Sequence, residues 1–365
     1  MTFGSGHPIR AEQYPGNAGR LRGPATVLGG LMLPFVYTPQ AAAATLNVCA
    51  SGCPFTTIQS AVDHAAAGDT IAIAAGTYFE NVTIPGNRLT LQGVGRRRVV
   101  IDGNLKGPVF TIGNGQSFDT GDTITFSELT IMRGFSSSGG GIVVLNSSPL
   151  VIQHSILLSN RSTGSGGAVQ TGSGSITVAD CNFINNQAVA DGGGLELTNE
   201  DLTLTVSDSV FSHNSAGIYG GAIDTVAHVT QGTFTNTSFV QNQAQWGGAL
   251  NLGNLYGAQL NFTDVTLSGN SATNDGGGLF FEGGAVFTRS IVTHNVAGKN
   301  GGGISGGPRF KGPSTLSLVD SEVVWNTAGG QGGGIFENFD FAHTDSTIAH
   351  NTPNDCVDSK GAPCP

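Results

Sequence analysis

Charge is scarce in this chain. Of its 365 residues only 11% are Asp, Glu, Lys or Arg, against roughly 25% in an ordinary soluble domain, which excludes charge-driven disorder and long salt-bridged helices. Basic residues are scarcer still. Lys and Arg number 15 against 25 Asp and Glu, a net charge of −10, and neither Lys nor Arg occurs from Ser162 to Thr288, a stretch with ten carboxylates. Binding to nucleic acid requires Lys and Arg to neutralise phosphates, so DNA and RNA are excluded as partners, and anionic lipid with them.

Long hydrophobic runs are also missing. The longest candidate, Ala25 to Val36, follows Arg10, Arg20 and Arg22 and precedes a run of Ala ending at Ala44. About 12 apolar residues are too few to span a bilayer, so no membrane insertion of the mature chain is expected. The pattern reads as a secretory signal peptide over residues 1–44 with cleavage near Ala43 or Ala44. Its long basic region suggests a true start codon further downstream. Removing 1–44 takes away three Arg and Glu12 and leaves a net charge of −12.

Cysteines number only five. In an exported chain Cys49 and Cys53 are close enough to pair, Cys356 and Cys364 could close the C-terminal tail, and Cys181 is left over. A zinc site would need clustered Cys or His, and one pair does not supply it.

What the chain has in excess is glycine, 57 residues, against a usual share of about 7%. A collagen would need nearly one third at a strict period of three. Here glycine follows a much longer period. The phrase GGGI, GGAV, GGGL, GGAI or GGAL ends at Ile142, Val169, Leu195, Ile223, Leu250, Leu279, Ile304 and Ile335, seven intervals over 193 residues with a mean of 27.6. A second phrase, an apolar residue three before an Asn, is interleaved from Leu157 and Asn160 to Ile348 and Asn351. Repeats of 20 to 50 residues signal a solenoid.

Between the phrases lie alternating runs such as Leu202 to Val206 and Gln259 to Val265, which have the period of strands. A unit of this length accommodates three strands of four to six residues, and stacked units at about 4.8 Å form three parallel sheets around one core. The fold expected is all-β, a right-handed single-stranded parallel β-helix. The apolar residue of each second phrase points inward, and each Asn bonds backbone groups and the next Asn. An N-terminal α-helical cap is expected where Ile58, Ala61, Val62 and Ala65 share one helical face, ended by Gly68. The expected organisation is a cap and first coils over 45–126, regular repeats over 127–351, and a C-terminal cap over 352–365.

Two stretches carry resemblances. Cys53 to Gly95, CPFTTIQSAVDHAAAGDTIAIAAGTYFENVTIPGNRLTLQGVG, resembles the opening of pectin-lyase-like β-helix proteins, including pectinesterases. The FINN, FSHN and FVQN phrases alternating with GGAI and GGAL resemble the polymorphic outer-membrane protein repeats of secreted bacterial surface proteins. The resemblances imply the fold strongly and the function weakly, because β-helices host lyases, hydrolases, esterases and adhesins alike. Polyuronate-cleaving relatives would use an Arg base, calcium-holding Asp clusters, or paired Asp with Gly-His-Gly. No Gly-His-Gly, Asp-Asp or Arg-x-Pro-x-x-Arg occurs here. Gln187 to Ala190 matches part of a pectinesterase motif but fills the ordinary slot after Asn186.

Aligning the coils gives the remaining candidates. The position after each glycine phrase reads Val143, Gln170, Glu196, Asp224, Asn251, Phe280, Ser305 and Phe336, and alternation turns it to solvent. Glu196 and Asp224 become neighbours near 5 Å, with Tyr219 and Trp246 in one column beside them. Gln170, Glu196, Tyr219, Asp224, Trp246 and Asn251 form a candidate ligand-binding face, with Glu196 and Asp224 the catalytic candidates for retaining glycoside hydrolysis. The alternative is a solvated polar stripe with an aromatic ladder.

Six residues before each ladder Asn stands a second column, Asp180, Asp208, Asn236, Asp264, Arg289, Asp320 and Asp345. Asp180 beside Asp208 could share a calcium ion, though Asp is also a common turn residue. His213, His294 and His350 lie two or three coils apart, beyond metal-ligand reach. The function expected is that of a secreted, monomeric, noncatalytic surface or adhesion protein that binds extracellular carbohydrate and needs no cofactor. The alternative is a polysaccharide lyase or glycoside hydrolase. A Thr-array ice-binding surface does not fit the mixed outward columns.

Overall fold

The computed structural model describes residues 42–364 apart from 87, 114–121, 146–147, 173–174, 199–201, 226–228, 254–258, 308–313, 338 and 359. The expected signal peptide lies outside the described residues as far as residue 41. Everything from Ala43 onward forms one unit. It is a right-handed parallel β-solenoid whose every inter-coil strand pair runs parallel, with successive coils joined by hydrogen bonds along the long axis.

Four sheets line the solenoid rather than the three expected. Sheet I has 12 strands, from Thr45–Val48 to Asp340–Thr344, and sheet II has 11, from Gly76–Tyr78 to Thr347–Ala349. Sheet III has eight short strands, from Phe135–Ser138 to Thr327–Ala328, and sheet IV has 11, from Val82–Ile84 to Cys356–Asp358. Sheet III went unforeseen because most of its members span two residues, such as Gln187–Ala188 and Ser215–Ala216. Two residues carry no alternation to read.

The turn from sheet I to sheet II is made by the second polar column. Asp180, Asp208, Asn236, Asp264, Arg289, Asp320 and Asp345 all take left-handed φ between 46° and 56°. Asp and Asn tolerate that conformation because a short polar side chain bonds locally. Arg289, the exception by type, places its guanidinium on Asp264 at 2.8 and 2.9 Å.

The turn from sheet II to sheet III is closed by the Asn ladder. Asn214 accepts from the backbone N–H and side-chain Nδ2 of Asn186 at 3.0 and 2.9 Å, and its own Nδ2 donates to the Phe183 carbonyl and to Asn242 Oδ1. The same pattern runs from Asn160 to Asn351 and ends on the Asp355 carboxylate. Interior amides are tolerated only when satisfied in this way. Inside, Phe183, Phe211 and Phe239 stack with centroids 4.4 and 5.1 Å apart, and Phe234, Phe262 and Phe287 form a second stack at 4.7 and 4.3 Å. Both stacks are fully buried and supply the main apolar contacts of the middle coils.

The N-terminal end is covered by α1, Ile58–His64, which buries Ile58, Ala61 and Val62. Thr57 caps it by accepting from the Ser60 N–H. Disulfides join Cys49 to Cys53 and Cys356 to Cys364, one at each end of the solenoid. Cys181 is buried, its thiol donating to the Ile152 and Ala179 carbonyls, and burial pushes its pKa up to about 12. A thiol so placed carries almost no thiolate at pH 8. The folded protein is therefore expected to give no reaction with a thiol-specific disulfide reagent over an hour at pH 8, and one reacting thiol per chain in denaturant. Rapid native labelling would show that the coils around Cys181 open readily.

Candidate functional site

The glycine turn before sheet IV positions the six candidate ligand-binding side chains. Register pairs Gln170 with Glu196, Glu196 with Asp224, Asp224 with Asn251, and Asn251 with Phe280 on successive coils. These neighbours were foreseen. Their exposure was not: Glu196 is 1% exposed, Asp224 0% and Asn251 4%, and Val143, Phe280 and Ser305 are buried as well. Only Gln170 and Phe336 of this column are half-buried.

The reason lies in the turn. The first glycine of each phrase has left-handed φ, +62° at Gly192, and the following side chain folds back across it. Glu196 Oε2 lies 2.8 Å from where a Cβ on Gly192 would stand. Alternation does turn Glu196 away from the core, but the missing Cβ gives it a lateral niche in which water cannot reach it.

In that niche the carboxylates crowd one another. Asp191, immediately before the phrase, joins Glu196 and Asp224, and one carboxylate oxygen from each lies within 4.8 Å of the other two. Burial, then the charge of Asp224, then that of Asp191, push the Glu196 carboxyl well above the usual carboxylate range. Asn251 Nδ2 donates to Asp224 Oδ1 from the next coil, and Asp191 Oδ1 accepts from the Tyr219 N–H at 3.2 Å. Asp191 was missed in the sequence. It stands in the same column as Tyr219 and Trp246, which is the signal that could have found it.

Tyr219 and Trp246 are joined by an isolated parallel bridge on adjacent coils and are both half-buried. Trp246 packs edge-on against Phe280 at 5.5 Å, and Lys299 Nζ lies 5.8 Å from its ring centre. The aromatic pair thus borders the acidic niche and shares its coils.

Asp180 and Asp208 engage other partners. Asp180 pairs with His154 at 2.9 Å and accepts from Arg96 at 3.1 Å, and these partners, His154 foremost, hold its carboxyl below the usual range, while Asp208 accepts from Asn236 at 2.8 Å. Both occupy left-handed turn positions. His213, His294 and His350 are exposed, and His350 stacks on Trp325 at 4.3 Å. Among the described residues no helix is long and apolar enough to cross a membrane.

No curated relative matches this chain. Solved structures similar to it include a pectin methylesterase in complex with a hexasaccharide, 13% identical, with 88% of this chain and 95% of that one covered at a TM-score of 0.41. An alpha-1,3-glucanase catalytic unit from Streptomyces thermodiastaticus is 16% identical, with 90% and 72% covered at 0.43. A pectate lyase is 15% identical, with 89% and 82% covered at 0.31. The Chlamydia polymorphic membrane protein repeat matches residues 264–282. The right handed beta helix region matches residues 48–239, more than half of the sequence, and to that family this chain belongs.

Proposed function

We propose that this protein is a noncatalytic, extracellular or cell-surface β-helix that binds neutral carbohydrate along the outer edge of sheet IV. The observation that carries the reading is the Tyr219–Trp246 pair, two half-buried rings bridged on adjacent coils. Aromatic rings at coil spacing offer apolar platforms for sugar faces, and half-buried Gln170 adds hydrogen-bonding capacity on the same sheet. A neutral ligand is favoured because Lys and Arg are absent from Ser162 to Thr288, so these coils contribute carboxylates and no basic side chain of their own to a polyuronate, and Lys299, from a later coil, is the cation beside Trp246.

A second reading, glycoside hydrolysis, draws support from one observation. Glu196 has a raised carboxyl beside a second carboxylate on the adjacent coil, the pairing that a general acid and nucleophile require. Against it, both side chains are at most 1% exposed. One set of assays separates the two. Binding to a panel of neutral and uronic polysaccharides is expected to weaken about tenfold or more in Trp246→Ala, roughly 1.4 kcal/mol, with no release of reducing ends. Unchanged affinity in both Trp246→Ala and Tyr219→Ala would sink the binding reading, and cleavage abolished by Glu196→Gln would establish the hydrolase.

A further inference from the structure

The chain has two tryptophans, and both border sheet III. Trp246 stands in the turn that leads from sheet III into sheet IV, and Trp325, three coils further along, in the turn that leads from sheet II into sheet III. Trp325 is the one that stability does not explain. Its φ is +60°, in the left-handed region that a bulky side chain enters only at a cost, and Asn185 and Gly269 fill the same turn on other coils. The ring is also 53% exposed, so it adds little to the core. A costly conformation held by an exposed aromatic points to a task outside the fold.

The surroundings of Trp325 indicate which task. One face of the ring rests on His350, with 4.3 Å between ring centres and 12° between planes, and His294 holds the same turn position on the preceding coil. Beside this stack runs the outer column of sheet III. Register aligns Gln243, Ser271, Val296 and Thr327 there on successive coils, all exposed and none charged, each followed by a buried Ala. Lys299, from an intervening coil, reaches back to 5.8 Å from the Trp246 ring centre. Rings at both borders offer platforms for the apolar faces of sugar residues, and the amide and hydroxyl side chains between them offer hydrogen bonds to sugar hydroxyls. A protein partner would need a continuous apolar centre, which this strip of separate rings and polar groups does not provide.

We infer that a neutral polysaccharide chain crosses sheet III obliquely, from the Tyr219–Trp246 pair to a second ring platform at Trp325. His350 acts there as a positioning residue that holds the ring. Three coils at about 4.8 Å put the two platforms roughly 14 Å apart along the axis, more than a disaccharide covers and within reach of an extended chain. The inference rests on the carbohydrate reading above and adds to it a second site and a requirement for chain length.

The test uses the full mature chain with mixed-linkage β-glucan, xyloglucan and galactomannan as polymers, together with the di- and hexasaccharides prepared from each. Trp325→Ala is expected to weaken polymer and hexasaccharide binding about tenfold and to leave disaccharide binding at the first platform unchanged, and the double variant with Trp246→Ala is expected to lose about a hundredfold. Trp325→Asn puts a residue suited to left-handed φ in the turn, so it should melt at or above the parent temperature while losing the same affinity. Polymer affinity unchanged in Trp325→Ala but weakened in Trp246→Ala overturns the second platform and leaves the first standing. No effect of either variant, or no binding of these polymers by the parent, overturns both. A Trp325→Asn protein that melts more than about 3 °C below the parent would show that the ring serves the fold, and overturns the inference as well.

Discussion

Asn242→Ala is expected to destabilise the protein by about 3 to 6 kcal/mol, enough to unfold the middle coils at 37 °C. Asn242 is fully buried, and its side chain makes four hydrogen bonds. Truncation leaves the Asn214 backbone N–H and one of its two amide N–H groups without an acceptor, the other still donating to the Phe183 carbonyl, and removes the amide donor to the Phe211 carbonyl. Each buried group left unmet costs about 1 to 3 kcal/mol, and the neighbouring rungs Asn214 and Asn270 are as fully buried as Asn242. The control is Gln187→Ala at an exposed position, expected within about 0.5 kcal/mol of the parent. Denaturant unfolding followed by circular dichroism measures both, and an Asn242→Ala loss below about 1 kcal/mol would show that the ladder is dispensable.

Gly248→Ala is expected to be worse still. A Cβ on Gly248 would lie 2.2 Å from the Gly277 carbonyl oxygen and 2.5 and 2.6 Å from the Ser271 carbonyl carbon and oxygen. All three are backbone atoms of the next coil, so no side chain can turn aside. Relief requires neighbouring coils to separate, which breaks the bonds from the Gly248 N–H to Gly276 and from the Ala249 N–H to Gly278. Overpacking of flexible cores costs about 1 to 3 kcal/mol, and this rigid case should exceed about 4. At Gly253 the nearest atom to a new Cβ is the Thr225 oxygen at 3.8 Å, so Gly253→Ala should be nearly neutral. Soluble expression and thermal melting of the two variants give the comparison. Equal stability would mean that coil spacing yields more easily than the backbone contacts imply.

The contrast between these glycines shows how far sequence could be read. The period placed Gly248 and Asn242 in their turns because both recur in every regular coil, and repetition makes a position legible without any partner being known. Phe211 and Phe239 were assigned to the core by the same logic, and both are fully buried. Sheet III escaped because a pair such as Gln243–Ala244 is too short to show a period.

Glu196 and Asp224 were correctly made neighbours and wrongly given to solvent. Alternation states on which side of a strand a residue emerges, but burial there depends on what the adjoining turn does, and Gly192 leaves the room that Glu196 fills. Asp191 escaped for a related reason. It belongs to a turn that looked purely structural until its oxygen was seen beside two others.

The Asn ladder has one further consequence. Asn270 and Asn295 are 25 residues apart and Asn295 and Asn326 are 31, yet the side-chain contact between successive rungs is 2.9 Å in one case and 3.0 Å in the other. Six extra residues therefore pass through one coil without altering its pitch. The molecule behaves as a rack of fixed shelving, in which insertions on the side between sheets IV and I change what is displayed while the spacing of the shelves stays the same. Such a scaffold can vary its surface quickly in evolution, or under an engineer's hand, at little risk to the fold that carries it.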